Sequence, residues 1–472
     1  MTEQAAAGTP EAYDRLVEHV RRMTNVGNAA GLLSWDQQVM MPEEGTPARS
    51  KQQSALSSVH HDMLTDDDLG AWLDDLDGAD LDADRRAVVR EVRRKHERAV
   101  SVPSELVERI SETTSNALPV WEEARREDDF ASFEPTLAEL VDLKREYAAH
   151  IDPDRDPYEV LFEEYEPYLG IGTAEAVLTT LREELVPLIE AVEDSDVDPA
   201  DPFEGTYDPD RQDDLARSAL DALGYDWEHG RLDTSTHPFT MGTQFDARVT
   251  TRFDETDPLE GLGSTVHESQ SRLWENHVGR SRAFWEFFWP TFTDHFDVDA
   301  TAREAYEAAN RIYPDNLIRV EADELTYHLH VVVRFEIERD LIRGDLEAAE
   351  VPAVWNDKME QYLGIRPDTD AEGCLQDIHW THGNFGYFPT YSLGSVLAAQ
   401  LFAAAEDDLD DIEGKIREGE FGPLHDWLRE RVHRHGCRYT TDDLIREATG
   451  EGFTADYFVE YATRKFGDLY DL

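Results

Sequence analysis

Titratable side chains gather among glycines and aromatic residues in the segment 373–394. Its polar members are Asp377, His379, His382, Tyr387 and Tyr391. Glycines permit sharp turns, and aromatic rings supply cleft walls with polar tips. The composition predicts an active-site loop, with a packed aromatic loop that has no chemistry as the alternative.

Two further segments carry residue types that can bind a metal or a carboxylate. His267 and Glu268 stand together where a helix is predicted to begin, and Arg319 lies close to Glu321 and Asp323. A lone histidine is more often a hydrogen-bonded structural residue than a ligand, and an arginine near acids usually forms an ion pair. Inside a cleft, a planar guanidinium group can instead bind a substrate carboxylate through two hydrogen bonds.

The elements that position these residues are predicted to be mainly helices, because apolar residues recur at helical spacing. One alternating, β-branched run at 237–253 predicts a small β-hairpin or ribbon. We predict a mostly α fold that forms a single unit over residues 1–472, with room for two lobes around a cleft. The predicted helices cover 137–149, 174–192, 316–342, 395–405 and 442–449, with Gly450 as a helix stop and 194–210 as an exposed loop.

The charge of the chain is strongly negative. Lysine and arginine total 44 against 103 aspartates and glutamates, a net charge of −59. This balance argues against binding to nucleic acid or to anionic membranes, which need clustered cations. Because lysine is scarce relative to arginine, we favour adaptation to a high-salt cytoplasm, where a Debye length of about 3 Å at 1 M screens surface repulsion. The alternative is an acidic surface that keeps the protein soluble.

Cysteine content and hydropathy indicate a reducing compartment. The two cysteines do not imply a disulfide framework. No basic region followed by an apolar run appears at the N-terminus, and no apolar stretch approaches the roughly 18–20 residues of a membrane span. We expect a cytoplasmic protein.

Five motifs carry a family resemblance. They are HPF at 237–239, DxRxT at 246–250, HESQ at 267–270, IRxxAD at 318–323 and GxxQDxHW at 373–380. In this order the chain resembles the thermostable carboxypeptidases of the carboxypeptidase Taq family, in the form of a haloarchaeal-like member. The resemblance implies a homodimer with a deep groove, which removes amino acids one at a time from peptides with free C-termini by means of a divalent zinc or cobalt ion.

The resemblance also implies roles for individual residues. Arg319 would hold the terminal carboxylate of the substrate, and Tyr391 would donate a hydrogen bond to that carboxylate or to the scissile carbonyl. The remaining residues would line the groove, and they are His237, Asp246, Arg248, Asp377 and His379. As alternatives, Asp246 and Arg248 pair with each other, and His237 braces the ribbon.

One motif that this chemistry requires is missing. The family needs HExxH, in which two histidines four residues apart bind the metal and the glutamate is the general base, and also a separate HESQ whose glutamate is the third ligand. Here His267-Glu268 is the one His-Glu pair in a match to either motif, residue 271 is serine, and no two of the 17 histidines lie four apart. The preceding residues resemble the approach to HExxH, and those that follow resemble the continuation of HESQ.

We therefore interpret His267-Glu268 as the junction of a deletion. His267 and Glu268 are the expected metal ligands of an incomplete site, and Glu268 is assigned two incompatible roles, base and ligand. Three hypotheses follow: an active enzyme with His379, His382 or Asp377 as substitute ligands; an inactive peptide-binding or dimerising pseudoenzyme; or an error in the recorded sequence. A lost core helix would leave apolar surface uncovered.

Overall fold

Helices dominate the computed structural model, which describes residues 10–243 and 245–472. The side chains of Glu43, Glu268, Ser269 and Gln270 lie outside the described part. The predicted mostly α fold is confirmed. The α-helices are, in chain order, α1 Glu11–Val39, α2 Thr46–Leu64, α3 Asp67–Asp75, α4 Ala83–Ser101, α5 Ser104–Glu127, α6 Phe130–Ile151, α7 Pro157–Phe162, α8 Ile171–Glu193, α9 Pro209–Leu223, α10 Pro258–Gln270, α11 Arg282–His295, α12 Ala302–Ala309, α13 Thr326–Arg343, α14 Val351–Leu363, α15 Phe388–Asp408, α16 Ile412–Arg417, α17 Gly422–Arg431, α18 Thr441–Thr449 and α19 Asp456–Tyr470.

Helix α13 lies at the centre of the larger hydrophobic core. Residues 323–338 are all buried, and the apolar ones pack among side chains of α6, α8 and α15. Each fully buried large apolar side chain contributes about 1.5–3 kcal/mol to the stability of the fold. Charged residues on this helix are therefore held in fixed positions inside the protein.

The predicted helix at 316–342 is wrong at its start. The Asp323 carboxylate accepts hydrogen bonds from the backbone N–H groups of Leu325 and Thr326, at 2.9 and 3.0 Å, and from the Thr326 hydroxyl at 2.7 Å. These bonds satisfy free amide groups at the start of α13, which begins at Thr326. Arg319 consequently lies in a 3₁₀ turn, Arg319–Glu321, before the helix.

The other predicted helices are confirmed within α6, α8, α15 and α18. Gly450 ends α18 with a φ of 86°, a left-handed conformation that favours glycine. The segment 194–210 does connect α8 and α9 as a loop. It is not exposed throughout, because Phe203 and Tyr207 are buried in a second hydrophobic core with α11.

A three-stranded sheet stands where a hairpin is predicted. Strands β2 Thr240–Thr243 and β3 Asp246–Thr251 are antiparallel, which confirms the hairpin, and β1 Gly230–Thr234 pairs with β3 in parallel. The order is β1-β3-β2. Strand β1 was not predicted because Leu232 is its one buried residue, so it has no alternating apolar pattern.

The backbone is irregular where the deletion is predicted. His267 lies in the last turn of α10 rather than at the start of a helix, so that expectation is wrong. Ser271 follows with φ 95° and ψ −177°, a conformation that is almost confined to glycine. A π-helix, Leu273–Gly279, comes next, and such wider turns are rare in proteins.

Among the described helices, none is long and apolar enough to cross a membrane.

Candidate functional site

Two arginines share one aspartate at the centre of the candidate site. Arg319 donates from Nε and Nη2 to Asp377 Oδ1, at 3.1 and 2.7 Å. Arg334, which has no exposed surface, donates from Nε to the other carboxylate oxygen, Oδ2. The structure thus brings together the arginine of IRxxAD, the aspartate of GxxQDxHW and a third residue from α13.

This cluster carries one more positive than negative charge. Burial lowers the pKa of Arg334 to about 10, so the group stays charged at neutral pH. Burial alone would raise the pKa of Asp377, but the two arginines outweigh it and hold that pKa well below its usual range. Asp377 therefore neutralises one of the two arginine charges, and one positive charge is left over.

Polar groups of the 373–394 segment surround this charge. The Tyr391 hydroxyl lies 3.2 Å from His379 Nε2, and the centre of the Tyr391 ring lies 5.3 Å from the Arg319 guanidinium carbon. Tyr391 belongs to the first turns of α15 and not to a loop, whereas His379 begins the 3₁₀ turn His379–His382. The structure brings Arg319, Asp377, His379 and Tyr391 together, while His382 is exposed.

A second ionic cluster includes His267. Its Nδ1 lies 2.9 Å from Glu275 Oε2, within ion-pair distance, and Glu275 also accepts hydrogen bonds from Arg272 at 2.8 Å and from Arg280 at 3.1 Å. Burial raises the pKa of Glu275, but Arg272, His267 and Arg280 together lower it well below its usual range. The side chain of Glu268 lies outside the described part, so the predicted role of Glu268 stays a prediction.

Tyr327 joins the two clusters. The guanidinium carbon of Arg272 lies 4.9 Å from the centre of the Tyr327 ring, and Arg319 Nη1 donates to the Tyr327 hydroxyl at 3.4 Å. His267 and the 3₁₀ turn of Arg319 therefore belong to one continuous network.

The residues of HPF and DxRxT lie on the sheet. Arg248 pairs with Asp246 through two hydrogen bonds of 2.9 and 3.0 Å, and its guanidinium carbon lies 4.1 Å from the centre of the Trp35 ring of α1. His237 is exposed, and its backbone carbonyl accepts a hydrogen bond from Ser235. Their described contacts tie the sheet to α1, and their predicted place in the groove stays a prediction.

Comparison with known proteins gives one answer. The model of the carboxypeptidase Taq (M32) metallopeptidases matches residues 15–269 and 258–466. This chain belongs to the carboxypeptidase Taq (M32) family. It is 35% identical over 494 residues to thermostable carboxypeptidase 1 of Pyrococcus furiosus, covering 97% of this chain and 98% of that protein. It is 36% identical over 509 residues to the Thermus thermophilus protein of the same name, with 98% and 100% covered.

The crystal structure of the M32 carboxypeptidase of Deinococcus radiodurans is similar over the same length. It superposes with a TM-score of 0.94 at 35% identity, covering 98% of this chain and 100% of that one. Membership in a family of metallopeptidases implies peptide substrates and a divalent metal.

The described residues of this M32 chain do not fit that metal. Within the described ranges, His, Cys, Asp and Glu side chains form no group of three or more that could hold a metal ion. His267 is engaged by Glu275, and Asp377, a hypothetical substitute ligand, is engaged by two arginines. The described part therefore supplies no substitute site from His379, His382 or Asp377.

Sequence reasoning missed several residues of the network, namely Arg272, Glu275, Tyr327 and Arg334. Arg334 offered one signal: a cation in a run that is apolar enough to be buried, a position that lysine and arginine occupy only when paired. The others stand in ordinary helical patterns.

Proposed function

We propose that this M32 protein binds peptides by their free C-termini and hydrolyses these peptides slowly or not at all. Its ancestry is that of a metal-dependent carboxypeptidase that releases C-terminal residues in sequence. The observation that carries the proposal is the excess positive charge of the Arg319–Asp377–Arg334 cluster. A buried cation beside the Tyr391 and Tyr327 hydroxyls favours a carboxylate, because hydrogen bonds between charged groups are about twice as strong as neutral ones.

The proposed deletion at Glu268 has support from the comparisons. The two parts of the family match overlap at residues 258–269, so the same short stretch resembles two places in the family. The match with the P. furiosus protein extends over 494 positions but covers 97% of 472 residues, about 458. About 36 positions summed over the alignment therefore lack a counterpart here, and the same arithmetic for the T. thermophilus protein gives about 46, enough in both cases for a missing segment of roughly thirty residues.

The packing after residue 270 also supports a lost segment. Among the described residues thirteen buried polar atoms find no hydrogen-bond partner, and five of them lie between residues 271 and 310: Trp274 Nε1, Asn276 Oδ1, His277 Nε2, Trp285 Nε1 and Asn310 Oδ1. A cavity of about 580 Å³ is lined partly by apolar side chains of α10 and α11. Unpaired polar atoms and uncovered apolar walls are the expected consequence of removing a core helix.

Metal content and product release test the loss of hydrolysis. The protein is loaded with zinc or cobalt, dialysed and analysed for bound metal, and then incubated with a peptide while released amino acids are measured. We expect well under one equivalent of metal and rates reduced by at least about 10²–10⁴, the usual contribution of a general base alone. One tightly bound equivalent together with sequential release of C-terminal residues would overturn this part of the proposal.

A restored protein is the matched control. The segment of the P. furiosus relative that lacks a counterpart is inserted after Glu268, and metal binding and peptide release are expected to return together. Sequencing the locus separates a genuine deletion from an error in the sequence.

Four further properties remain parts of the proposal: a homodimer, a single unit over residues 1–472, a cytoplasmic location and adaptation to salt. Size-exclusion chromatography with light scattering tests the homodimer.

A further inference from the structure

Helix α13 forms hydrogen bonds with the segment 377–386 at two places. Arg334 holds Asp377 at the start of that segment. Glu338, four residues later and on the same face of the helix, contacts Trp380 and Gly386 further along. No motif includes Glu338, and the proposed function assigns it no role.

The Glu338 carboxyl group is fully buried and contacted by three donors. Oε1 accepts hydrogen bonds from the Tyr158 hydroxyl at 2.5 Å and from the backbone N–H of Gly386 at 3.1 Å. Oε2 accepts a longer one from Trp380 Nε1, at 3.4 Å. These contacts join α7, α13 and the turn that leads into α15.

The turn at Gly386 has no room for a side chain. Gly386 has a φ of 92°, and a Cβ atom there would lie 2.8 Å from the backbone nitrogen of Phe162 in α7. Glycine is therefore required at this close approach. The amide that contacts Glu338 is fixed between two helices.

The segment 377–386 includes His379 of the proposed binding site, and Tyr387 and Tyr391 follow it in the chain. The rings of His379 and Tyr387 stack with centres 5.8 Å apart, and Tyr391 reaches His379 one turn into α15. Trp380, adjacent to His379, stacks on Phe385. A shift at Trp380 or Gly386 would displace His379 and Tyr391 relative to Arg319.

We propose that Glu338 is a positioning residue for the site that binds peptide C-termini, because its carboxyl group holds Trp380 and Gly386 and thereby sets His379 and Tyr391 against Arg319. The inference rests on the proposed function, since its ligand is the terminal carboxylate.

The charge state of Glu338 gives this role a pH dependence. Burial raises its pKa to about 8, against the effect of the three hydrogen bonds. Tyr158 and Tyr165 face the carboxyl group, and Arg339 and Arg343 lie beside Tyr158. At pH 7 the group is mostly protonated, and above pH 8 a buried carboxylate without a described cation partner would draw in water or a counter-ion and loosen the turn.

Two substitutions separate positioning from simple stability. Glu338→Gln keeps a neutral acceptor, while Glu338→Leu removes both acceptors at similar size; Glu336→Gln, two residues away and paired with Lys358 and Arg182, is the control. The ratio of Kd for an amidated peptide to Kd for the same peptide with a free C-terminus is measured in a chelator at pH 7 and pH 8.5, where Arg334, with a pKa of about 10, stays charged. Hydrogen exchange of residues 379–387 is followed in parallel.

We expect Glu338→Leu to lower the Kd ratio about tenfold, the effect of one displaced hydrogen bond to a charged group, and to speed exchange of 379–387. Glu338→Gln should keep the ratio and abolish the loss that the unsubstituted protein shows at pH 8.5. A folded Leu variant with unchanged ratio and exchange, or a Gln variant with the parent's pH profile, would overturn the inference. If the Leu variant does not fold, the Gln profile decides. Failure of the proposed function is distinct: the parent protein itself would not discriminate between the two peptides, and exchange would then decide the positioning role alone.

Discussion

At the scale of single residues, the imbalance of charge distinguishes the Arg319 cluster from an ordinary buried ion pair. A buried arginine and one carboxylate form a pair with no net charge, and such a pair attracts a second anion only weakly. Here Arg334 occupies one oxygen of Asp377 and Arg319 the other. In the proposed function, this second arginine supplies the charge that binds a carboxylate.

The hydroxyl of Tyr391 should strengthen binding of that carboxylate. We expect Tyr391→Phe to weaken binding of a peptide with a free C-terminus by roughly tenfold or more, since a hydrogen bond to a charged group contributes about 1.5–3 kcal/mol. Binding of the amidated peptide should change little. Tyr225→Phe, which removes a hydroxyl near the sheet, is the control. Equal losses for both peptides in calorimetry would argue against contact with the carboxylate.

The backbone strain at Ser271 predicts that glycine at this position stabilises the protein. Its φ of 95° with ψ near 180° costs a residue with a side chain about 1–3 kcal/mol. Ser271→Gly should raise the free energy of unfolding by about 1 kcal/mol, after the extra entropy of glycine in the unfolded chain. Ser271→Ala keeps the strain and is the matched control. Urea unfolding in which the two variants are equally stable would contradict this backbone conformation.

At the scale of elements, the structure shows what could and could not be predicted from sequence. Apolar periodicity located α8 and α18 because their buried stripes follow one face. It failed at residues 316–325, where Asp323 satisfies amides of α13 and stops the helix from starting earlier. The motifs brought Arg319, Asp377, His379 and Tyr391 together, but Arg334 and Glu338 have the spacing of an ordinary helical ion pair. Their separate partners depend on the path of the chain at 377–386, which no local pattern specifies.

Helix α13 also carries a testable pH dependence of stability. The pKa of Glu338 is about 8 in the fold and 4.5 as an ordinary carboxyl group, so the folded state binds the additional proton between these values. The contribution of Glu338 to the free energy of unfolding is greatest below about pH 4.5, and it falls as pH rises towards 8. The total is on the order of 5 kcal/mol.

Urea unfolding at pH 5, 6.5 and 8 measures this effect. Glu338→Gln should reduce the decline, most of all between pH 6.5 and 8, and Glu336→Gln should not. The remainder is expected from Glu166, whose pKa burial raises to about 7. An undiminished decline in Glu338→Gln would show that Glu338 does not bind the proton.

At the scale of the whole molecule, the family fold tolerates the proposed loss. A TM-score of 0.94 over 98% of this chain places nearly every element where the D. radiodurans enzyme has it. The central helix contacts residues 258–285 through Tyr327 and Arg272, and its helical structure is continuous from Thr326 to Arg343. The whole molecule also carries a net charge of −59, whose self-repulsion opposes the compact state.

Salt should therefore stabilise the protein. We expect the thermal midpoint to rise steadily with KCl from 0.1 to 3 M, because the Debye length falls from about 10 Å to below about 3 Å. The rise should be smaller at pH 5, closer to the isoelectric point of about 4.4, where fewer carboxylates are charged. A midpoint that does not rise with KCl at pH 7 would rule out adaptation to salt.

The central claim is that recognition of a peptide C-terminus has outlasted the metal site. Calorimetry in excess chelator tests it most directly, with one peptide in two forms, free and amidated at the C-terminus. The account predicts binding of the free form at least about tenfold tighter than the amidated form, and loss of this preference in Arg319→Gln. Equal affinities for the two peptides, or a preference that appears only when zinc is added, would contradict it.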